Sequence, residues 1–143
     1  MDFSEEELQQ IFDIFKAETE EHLENINKCL LDLEKNPTDE KLLSTLFRDA
    51  HTIKGAARML GIPTIQSIAH KIEDFLKLAK DNSITINSTV IDLIYKAIDL
   101  IEKILSTITC TTLDYQDENA NNIVIELDLL KDKLLANEKK RKE

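Results

Sequence analysis

The imidazole of His51 is the side chain in this sequence that is best placed to do chemistry. Positions three, four and seven residues away share its face of a helix, and they hold Phe47, Arg48, Lys54, Gly55 and Arg58. The chain has 18 basic and 28 acidic residues, yet two of its three arginines lie in this set. We therefore predict a local positive patch around one imidazole, whose unprotonated nitrogen can act as a nucleophile.

Gly55 suggests that a partner approaches this face. A glycine inside a helix costs about 0.5–1 kcal/mol relative to alanine, so its presence needs a reason. It lies one turn from His51 and bares the surface where the atoms of a partner could come close. The alternative is that His51 is an ordinary surface histidine and that Gly55 serves packing.

A second polar cluster lies on the next predicted helix. His70, Glu73 and Lys77 are spaced by three and four residues, which places them on one face beside the apolar stripe. Because a short connection makes the two helices antiparallel neighbours, we expect His51 and Glu73 to meet across the groove between them. A carboxylate that binds one ring nitrogen fixes the tautomer and leaves the other nitrogen free to react. The alternative is a solvated charged face.

Two long helices carry the first half of the chain. Ser4 and Glu7 form a capping box at the start of the first helix, which is predicted to end at Asn36-Pro37. The second helix is predicted to begin after the N-cap Thr38 and to stop at Gly61. Apolar residues recur along both helices at steps of three and four, which is typical of one buried face.

Three further helices are predicted in the second half. They cover about residues 63–80, 88–109 and 123–135, with a polar loop over 110–122. Residues 123–125 alone would also suit a short strand. Four amphipathic helices with short connections pack most simply as an antiparallel up-down bundle. The predicted fold class is therefore all-α: a four-helix bundle with an additional C-terminal fifth helix, which docks on the outside or extends past the bundle.

Length and composition limit the classes of function. A chain of 143 residues fits one domain, which we predict over 1–136, with 137–143 as a charged tail or the start of a linker. The net charge of −10 argues against a nucleic-acid partner. No apolar run approaches the roughly 18 residues of a membrane span, so no membrane insertion is expected. The two cysteines, Cys29 and Cys110, are predicted to be reduced thiols in the cytoplasm.

The residues around His51 resemble a known family signature. The stretch HTIKGAA at 51–57 resembles the H-x-x-K-G-x-A signature of histidine phosphotransfer domains. FRDAHTIKG at 47–55 and AHKIE at 69–73 are similar to the N-terminal phosphotransfer domains of CheA-type chemotaxis kinases. The resemblance covers roughly residues 5–135 and includes the fifth helix. Ala56 and Arg58 depart from the common pattern and could alter which partner docks.

The resemblance implies a role for each site residue. His51 would be the phosphorylation site, and Glu73 would bind its Nδ1 and leave Nε2 to attack. Lys54 would neutralise charge on the phosphoryl group, and His70 would tune the site. Partner docking would fall to the residues around the histidine, namely Phe47, Arg48, Gly55 and Arg58.

The resemblance also implies a function without independent catalysis. His51 would accept the γ-phosphoryl group of ATP from a kinase ATP-binding domain and pass it to an aspartate of a CheY-like receiver domain. ATP and Mg would be bound by the partner kinase, because this chain has no Gly-rich phosphate loop, and the isolated domain would be a monomer with no metal or cofactor. The alternatives are a stand-alone or hybrid-kinase relay module, a structural adaptor, and a Zn²⁺ site built from His51, His70 and Glu73.

Overall fold

The computed structural model describes residues 2–142 and contains five α-helices. They are α1 (Glu5–Lys35), α2 (Glu40–Leu60), α3 (Pro63–Lys80), α4 (Ser88–Thr107) and α5 (Glu118–Lys142). No strand occurs anywhere in residues 2–142, so the segment 123–125 is helical. The prediction of an all-α fold with a fifth C-terminal helix is confirmed.

Helices α1 to α4 form a closed ring of neighbours. Contacts join α1 to α2, α2 to α3, α3 to α4, and α4 back to α1. The direction of α3 relative to α2 follows from two pairs, His51 with Glu73 and Phe47 with Lys80. Moving backwards along α2 corresponds to moving forwards along α3, so the two helices are antiparallel, as an up-down bundle requires.

Helix α5 packs on the outside of this ring, against α3 and α4. Lys71 lies 3.0 Å from Asp128, and Lys131 lies 4.0 Å from Asp74. Because residue numbers rise together in these two pairs, α5 is parallel to α3. Few of its residues are buried: Ala120, Ile123 and Leu127. The helix continues through the predicted charged tail as far as Lys142, and Glu143 lies outside the described residues.

The interior is a single aliphatic core along the axis of the bundle. On α2 the buried positions Ala50, Ile53 and Ala57 follow the three- and four-residue spacing of one face. Full burial of an aliphatic side chain such as Ile53 stabilises the fold by roughly 1.5–3 kcal/mol. Burial of this face fixes the rotation of α2 and thereby turns His51 towards solvent.

Two predicted helix starts were wrong. The N-cap of α2 is Asp39 rather than Thr38, because the Asp39 carboxylate accepts hydrogen bonds from two first-turn backbone N–H groups, at 2.9 and 3.1 Å. Helix α5 begins at Glu118 inside the predicted loop. There Asp117 accepts from the N–H groups of Asn119 and Ala120, which supplies a cap that the weak apolar pattern of the segment had hidden.

The other boundaries agree closely with the sequence prediction. Ser4 and Glu7 form the predicted capping box, and Gly61 ends α2 in the left-handed conformation with φ +76°. Helix α4 begins after Asn87, which caps it, and ends at Thr107, two residues earlier than predicted. Of the helices within residues 2–142, none is both long and apolar enough to cross a membrane.

Candidate functional site

The site is built around a contact between α2 and α3. Nδ1 of His51 lies 2.6 Å from Oε2 of Glu73, so the contact predicted from helical spacing is present. The histidine side chain is 60% exposed, whereas that of Glu73 is only 11% exposed. A buried carboxylate therefore binds Nδ1 of an imidazole ring that is otherwise largely exposed to solvent.

Lys54 binds the other oxygen of the same carboxylate. Its Nζ lies 2.8 Å from Oε1 of Glu73, and its own side chain is mostly buried. Burial alone would raise the pKa of Glu73, but the hydrogen bonds from Lys54 and His51, together with the positive charge of Lys54, outweigh it and hold that pKa below its usual value. Glu73 is thus kept as a carboxylate.

This geometry selects one form of the imidazole. An ionised carboxylate can only accept hydrogen bonds, so Nδ1 of His51 must be the donor to Glu73. In a neutral ring the proton then resides on Nδ1, and Nε2 carries the lone pair. The unprotonated nitrogen belongs to the exposed side chain, which gives the site an accessible nucleophile.

His70 is oriented differently from the other predicted support residues. Its Nε2 lies 3.6 Å from Asp74 one turn further along α3, and its side chain is 53% exposed. In the part of the chain that the structure describes, His70 makes no hydrogen bond to His51 or Glu73. Three positions along a helix separate it from Glu73 by about 60° of rotation, which turns it towards α5. Its predicted tuning role therefore stays a prediction without a direct contact.

The residues predicted for partner docking surround His51. Arg48 and Arg58 are both exposed. Apart from its chain neighbours and the backbone of its own helix, a Cβ added at Gly55 would have no heavy atom within 4 Å. Packing inside this domain therefore does not explain the glycine, and the surface beside His51 is open to a partner.

Phe47, which was predicted as a docking residue, contacts the site histidine directly. Its ring stacks on the imidazole of His51, with centroids 6.1 Å apart and planes inclined by 13°. Lys80, which was not predicted as a site residue, lies with Nζ 4.6 Å from the centroid of the Phe47 ring. Only the pairing of α2 with α3 brings Lys80 to this position, although the i, i+4 spacing of Phe47 and His51 was visible in the sequence.

A second histidine–carboxylate pair, which was not predicted from the sequence, joins α1 to α2. Nδ1 of His22 lies 3.0 Å from Asp49, whose other oxygen accepts a hydrogen bond from Asn25. The cleft beside it is lined mostly by acids, including Glu18, Glu21 and Glu24. This environment disfavours an approaching phosphate, in contrast to the cationic surroundings of His51.

The predicted metal ligands do not assemble. His51 and Glu73 are in contact, but His70 pairs with Asp74. Over residues 2–142, the structure contains no group of three or more His, Cys, Asp or Glu side chains arranged to hold a metal ion. Cys29 and Cys110 are free thiols.

A comparison with family models matches residues 10–108 to the Hpt domain. The chain belongs to the Hpt domain family. Among curated proteins, this Hpt domain is 36% identical over 118 residues to the sensor histidine kinase CheAY of Helicobacter pylori, and 33% identical over 102 residues to the chemotaxis protein CheA of Bacillus subtilis. These matches cover 82% and 71% of this chain but 15% of each relative, so the chain spans about 15% of their length.

Solved structures show the same relationship. The CheA phosphotransferase domain from Thermotoga maritima is 35% identical, with a TM-score of 0.68 over 69% of this chain and 94% of that one. A solution structure of the histidine phosphotransfer domain of CheA gives 29% identity and a TM-score of 0.72, over 84% and 90% of the two chains. The phosphorylated P1 domain of CheA3 from R. sphaeroides, solved in complex with CheY6, shares the fold at 21% identity, with a TM-score of 0.80 over 88% and 98%. This Hpt domain is therefore CheA-like.

Proposed function

We propose that His51 is the phosphoacceptor of a CheA-type kinase and passes the phosphoryl group to an aspartate of a receiver domain. The observation that carries the proposal is the 2.6 Å contact between Nδ1 of His51 and Glu73, which makes Nε2 the unprotonated nitrogen of the neutral, exposed ring. The first step uses ATP and Mg²⁺ held by the kinase ATP-binding domain. The Hpt domain itself supplies only the nucleophile, because phosphoryl transfer depends mainly on positioning and charge stabilisation by the partner's active site.

In that step the lone pair of Nε2 forms a bond to the γ-phosphorus. The bond between this phosphorus and the bridging oxygen breaks, and ADP leaves with the electron pair. Nδ1 keeps its proton, so the ring acquires positive charge as the N–P bond forms. Glu73 lies where it stabilises that charge.

The second step reverses the first on a different partner. An aspartate carboxylate of a CheY-like receiver attacks the phosphorus, and the N–P bond breaks. The electron pair returns to Nε2, which restores the neutral imidazole of His51. The precedent for such a partner is the complex of the phosphorylated P1 domain of CheA3 with CheY6.

Lys54 supports the charge balance of the site. In the structure its Nζ neutralises part of the charge on Glu73. We propose that it also faces the phosphoryl oxygens once His51 is modified, because three donors on a flexible stem allow Nζ to bind a second acceptor. His70 would act through its contact with Asp74.

The expected setting follows from these partners. We place the domain in the cytoplasm, where a kinase has access to ATP and where the free thiols Cys29 and Cys110 remain reduced. We expect the isolated domain to act as a monomer, and we expect its docking to a receiver to be transient and to use a small surface.

Radiolabelled ATP and a CheA-type catalytic domain test the proposal. The unsubstituted chain should take up label that is lost in acid and kept in alkali, as expected for a phosphoramidate. His51→Gln should take up none, while the control His22→Gln, which removes the other histidine–carboxylate pair, should be labelled normally. Undiminished labelling of His51→Gln would refute the assignment.

A further inference from the structure

The side chains of Glu73 and Phe47 both contact the imidazole ring of His51. Glu73 holds Nδ1 at one edge, and the Phe47 ring lies almost parallel to the imidazole, inclined by 13°. A centroid separation of 6.1 Å is within the range of offset aromatic stacking. Phe47 is half-buried and packs against the core, so its ring has a fixed base.

Lys80 contacts the same aromatic ring from α3. Its Nζ lies 4.6 Å from the Phe47 centroid, a distance at which the cation attracts the π-face of the ring. No ion pair of Lys80 with an acidic side chain occurs within residues 2–142. Phe47 is thus held by the core of the bundle and by a cation from the neighbouring helix.

We propose that Phe47 is a positioning residue for His51: its ring, held by Lys80, sets the plane of the imidazole so that Nδ1 stays on Glu73 and Nε2 faces the partner. This inference rests on the proposed phosphoacceptor function and specifies how the nucleophile is oriented. Under this proposal Phe47 orients the imidazole of His51, whereas the family resemblance implied a role in partner docking.

One hydrogen bond does not define a ring plane. The terminal torsion of a histidine is broad and roughly two-fold, so the ring can swing about its bond to Cβ or turn over at low cost. Turning over by 180° would exchange Nδ1 with Cδ2, so a ring carbon would face Glu73 and Nε2 would take the former place of Cε1. The parallel ring of Phe47 blocks small rotations of the imidazole towards it. The hydrogen bond from Nδ1 to Glu73 opposes a full 180° rotation, so the two contacts together leave one orientation.

The expected effect on reaction is a lower rate at saturation. A docking residue changes the concentration of domain at which the kinase is half-saturated, whereas a positioning residue changes the rate once the complex is formed. We expect Phe47→Leu to lower the saturating rate of phosphorylation roughly five- to tenfold through misorientation of the ring. Phe47→Tyr keeps the aromatic face and should recover the rate to within about twofold.

Lys80 provides a second variant that leaves the core untouched. Lys80→Met should lower the saturating rate by about two- to threefold, as the loss of one exposed cation–π contact implies. The matched control is Lys103→Met, which makes the same change of charge on α4, the helix that lies across the ring from α2. It should leave the rate unchanged.

Long-range ¹H–¹⁵N spectra of the unphosphorylated chain give a readout that needs no kinase. In the unsubstituted protein His51 should show the Nδ1–H tautomer, and Phe47→Leu should show a mixture of tautomers that Phe47→Tyr reverses. This result together with a lower saturating rate supports the proposal. A wild-type tautomer in Phe47→Leu, or a change confined to half-saturation, would overturn it.

The two hypotheses fail in distinguishable ways. If the unsubstituted chain takes up no label, the proposed function fails, while the tautomer spectra still decide whether Phe47 orients the ring. If the chain is labelled normally and both Phe47→Leu and Lys80→Met behave like the unsubstituted protein, the function stands and the positioning role is wrong.

Discussion

Oε2 of Glu73 accepts a hydrogen bond from Nδ1 of His51 across 2.6 Å, although the two residues are 22 positions apart and belong to different helices. The orientation of the imidazole is thus a product of the packing of α2 on α3. Lys54 binds the remaining oxygen of the same carboxylate, so one buried acid organises both neighbouring groups.

Replacement of the carboxylate should slow phosphorylation. Glu73→Gln keeps the size of the side chain but removes the charge that stabilises the ring as the N–P bond forms, so we expect the rate to fall by about tenfold or more. Rapid-quench labelling from ATP measures this rate. The control is Glu20→Gln, an exposed substitution on α1 that should have no effect. Equal rates for Glu73→Gln and the unsubstituted chain would contradict stabilisation of the charged ring by the Glu73 carboxylate.

The same carboxylate should make folding stability depend on acid pH. Because the folded pKa of Glu73 is held below its unfolded value, Glu73 stabilises the fold above the unfolded pKa, which is about 4.3. That contribution is lost as the pH falls through the lower folded pKa. Urea unfolding between pH 7 and pH 3 should therefore show the gap between the unsubstituted chain and Glu73→Gln narrowing with acid. Parallel stability curves over this range would contradict the charge state assigned to Glu73.

The two glycines should respond oppositely to alanine. Gly55 lies inside α2 with open space at its Cβ position, so Gly55→Ala should stabilise the domain by about 0.5–1 kcal/mol through helix propensity. Gly61 has φ +76°, so Gly61→Ala should destabilise it by about 1 kcal/mol or more. Thermal unfolding measures both. Loss of stability in Gly55→Ala would show that the glycine serves packing after all.

The rate of phosphotransfer from His51 to a receiver domain should reveal what Gly55 contributes. If the bare backbone leaves room for a receiver, the methyl group of Gly55→Ala should slow phosphotransfer from His51 while stability rises. Transfer at the unsubstituted rate would leave the glycine without a role at this surface.

Arg58 provides a test of the docking surface. It is exposed on the His51 side of α2, and charge reversal in Arg58→Glu should weaken binding of an acidic receiver surface by about threefold or more. The effect should diminish at high salt, and the unfolding midpoint should change little. Arg141→Glu, at the far end of α5, is the matched control. Equal affinities for the two variants in a binding titration would count against a docking role.

The sequence was sufficient to predict the elements that carry the site. Apolar spacing and the cap signals at Ser4 and Gly61 located the first helices, and local spacing placed His51 and Glu73 on facing helices. Helix rotation depends on buried stripes such as Ala50, Ile53 and Ala57, and these are visible in the sequence. Together with the short connection between α2 and α3, this spacing allowed us to expect His51 and Glu73 in one groove, although the contact itself still depends on the axial register of the two helices.

Contacts that depend on the axial register of two helices could not be predicted in this way. Lys80 contacts Phe47, and His22 contacts Asp49, only because the paired helices pack in one particular axial register. Local spacing does not determine that register, which is set by interdigitation of the whole core. The start of α5 was missed for a different reason: its cap, Asp117, precedes a segment with only a weak apolar pattern.

NMR spectra of the phosphorylated chain show directly whether Nε2 of His51 carries the phosphoryl group. The sample is prepared with ¹⁵N-labelled histidine, a CheA-type catalytic domain and ATP. We predict ³¹P–¹⁵N coupling at Nε2 of His51, with the proton of Nδ1 retained on the Glu73 side. Coupling at Nδ1, or a phosphoryl group on His22 or His70 instead, would contradict the account.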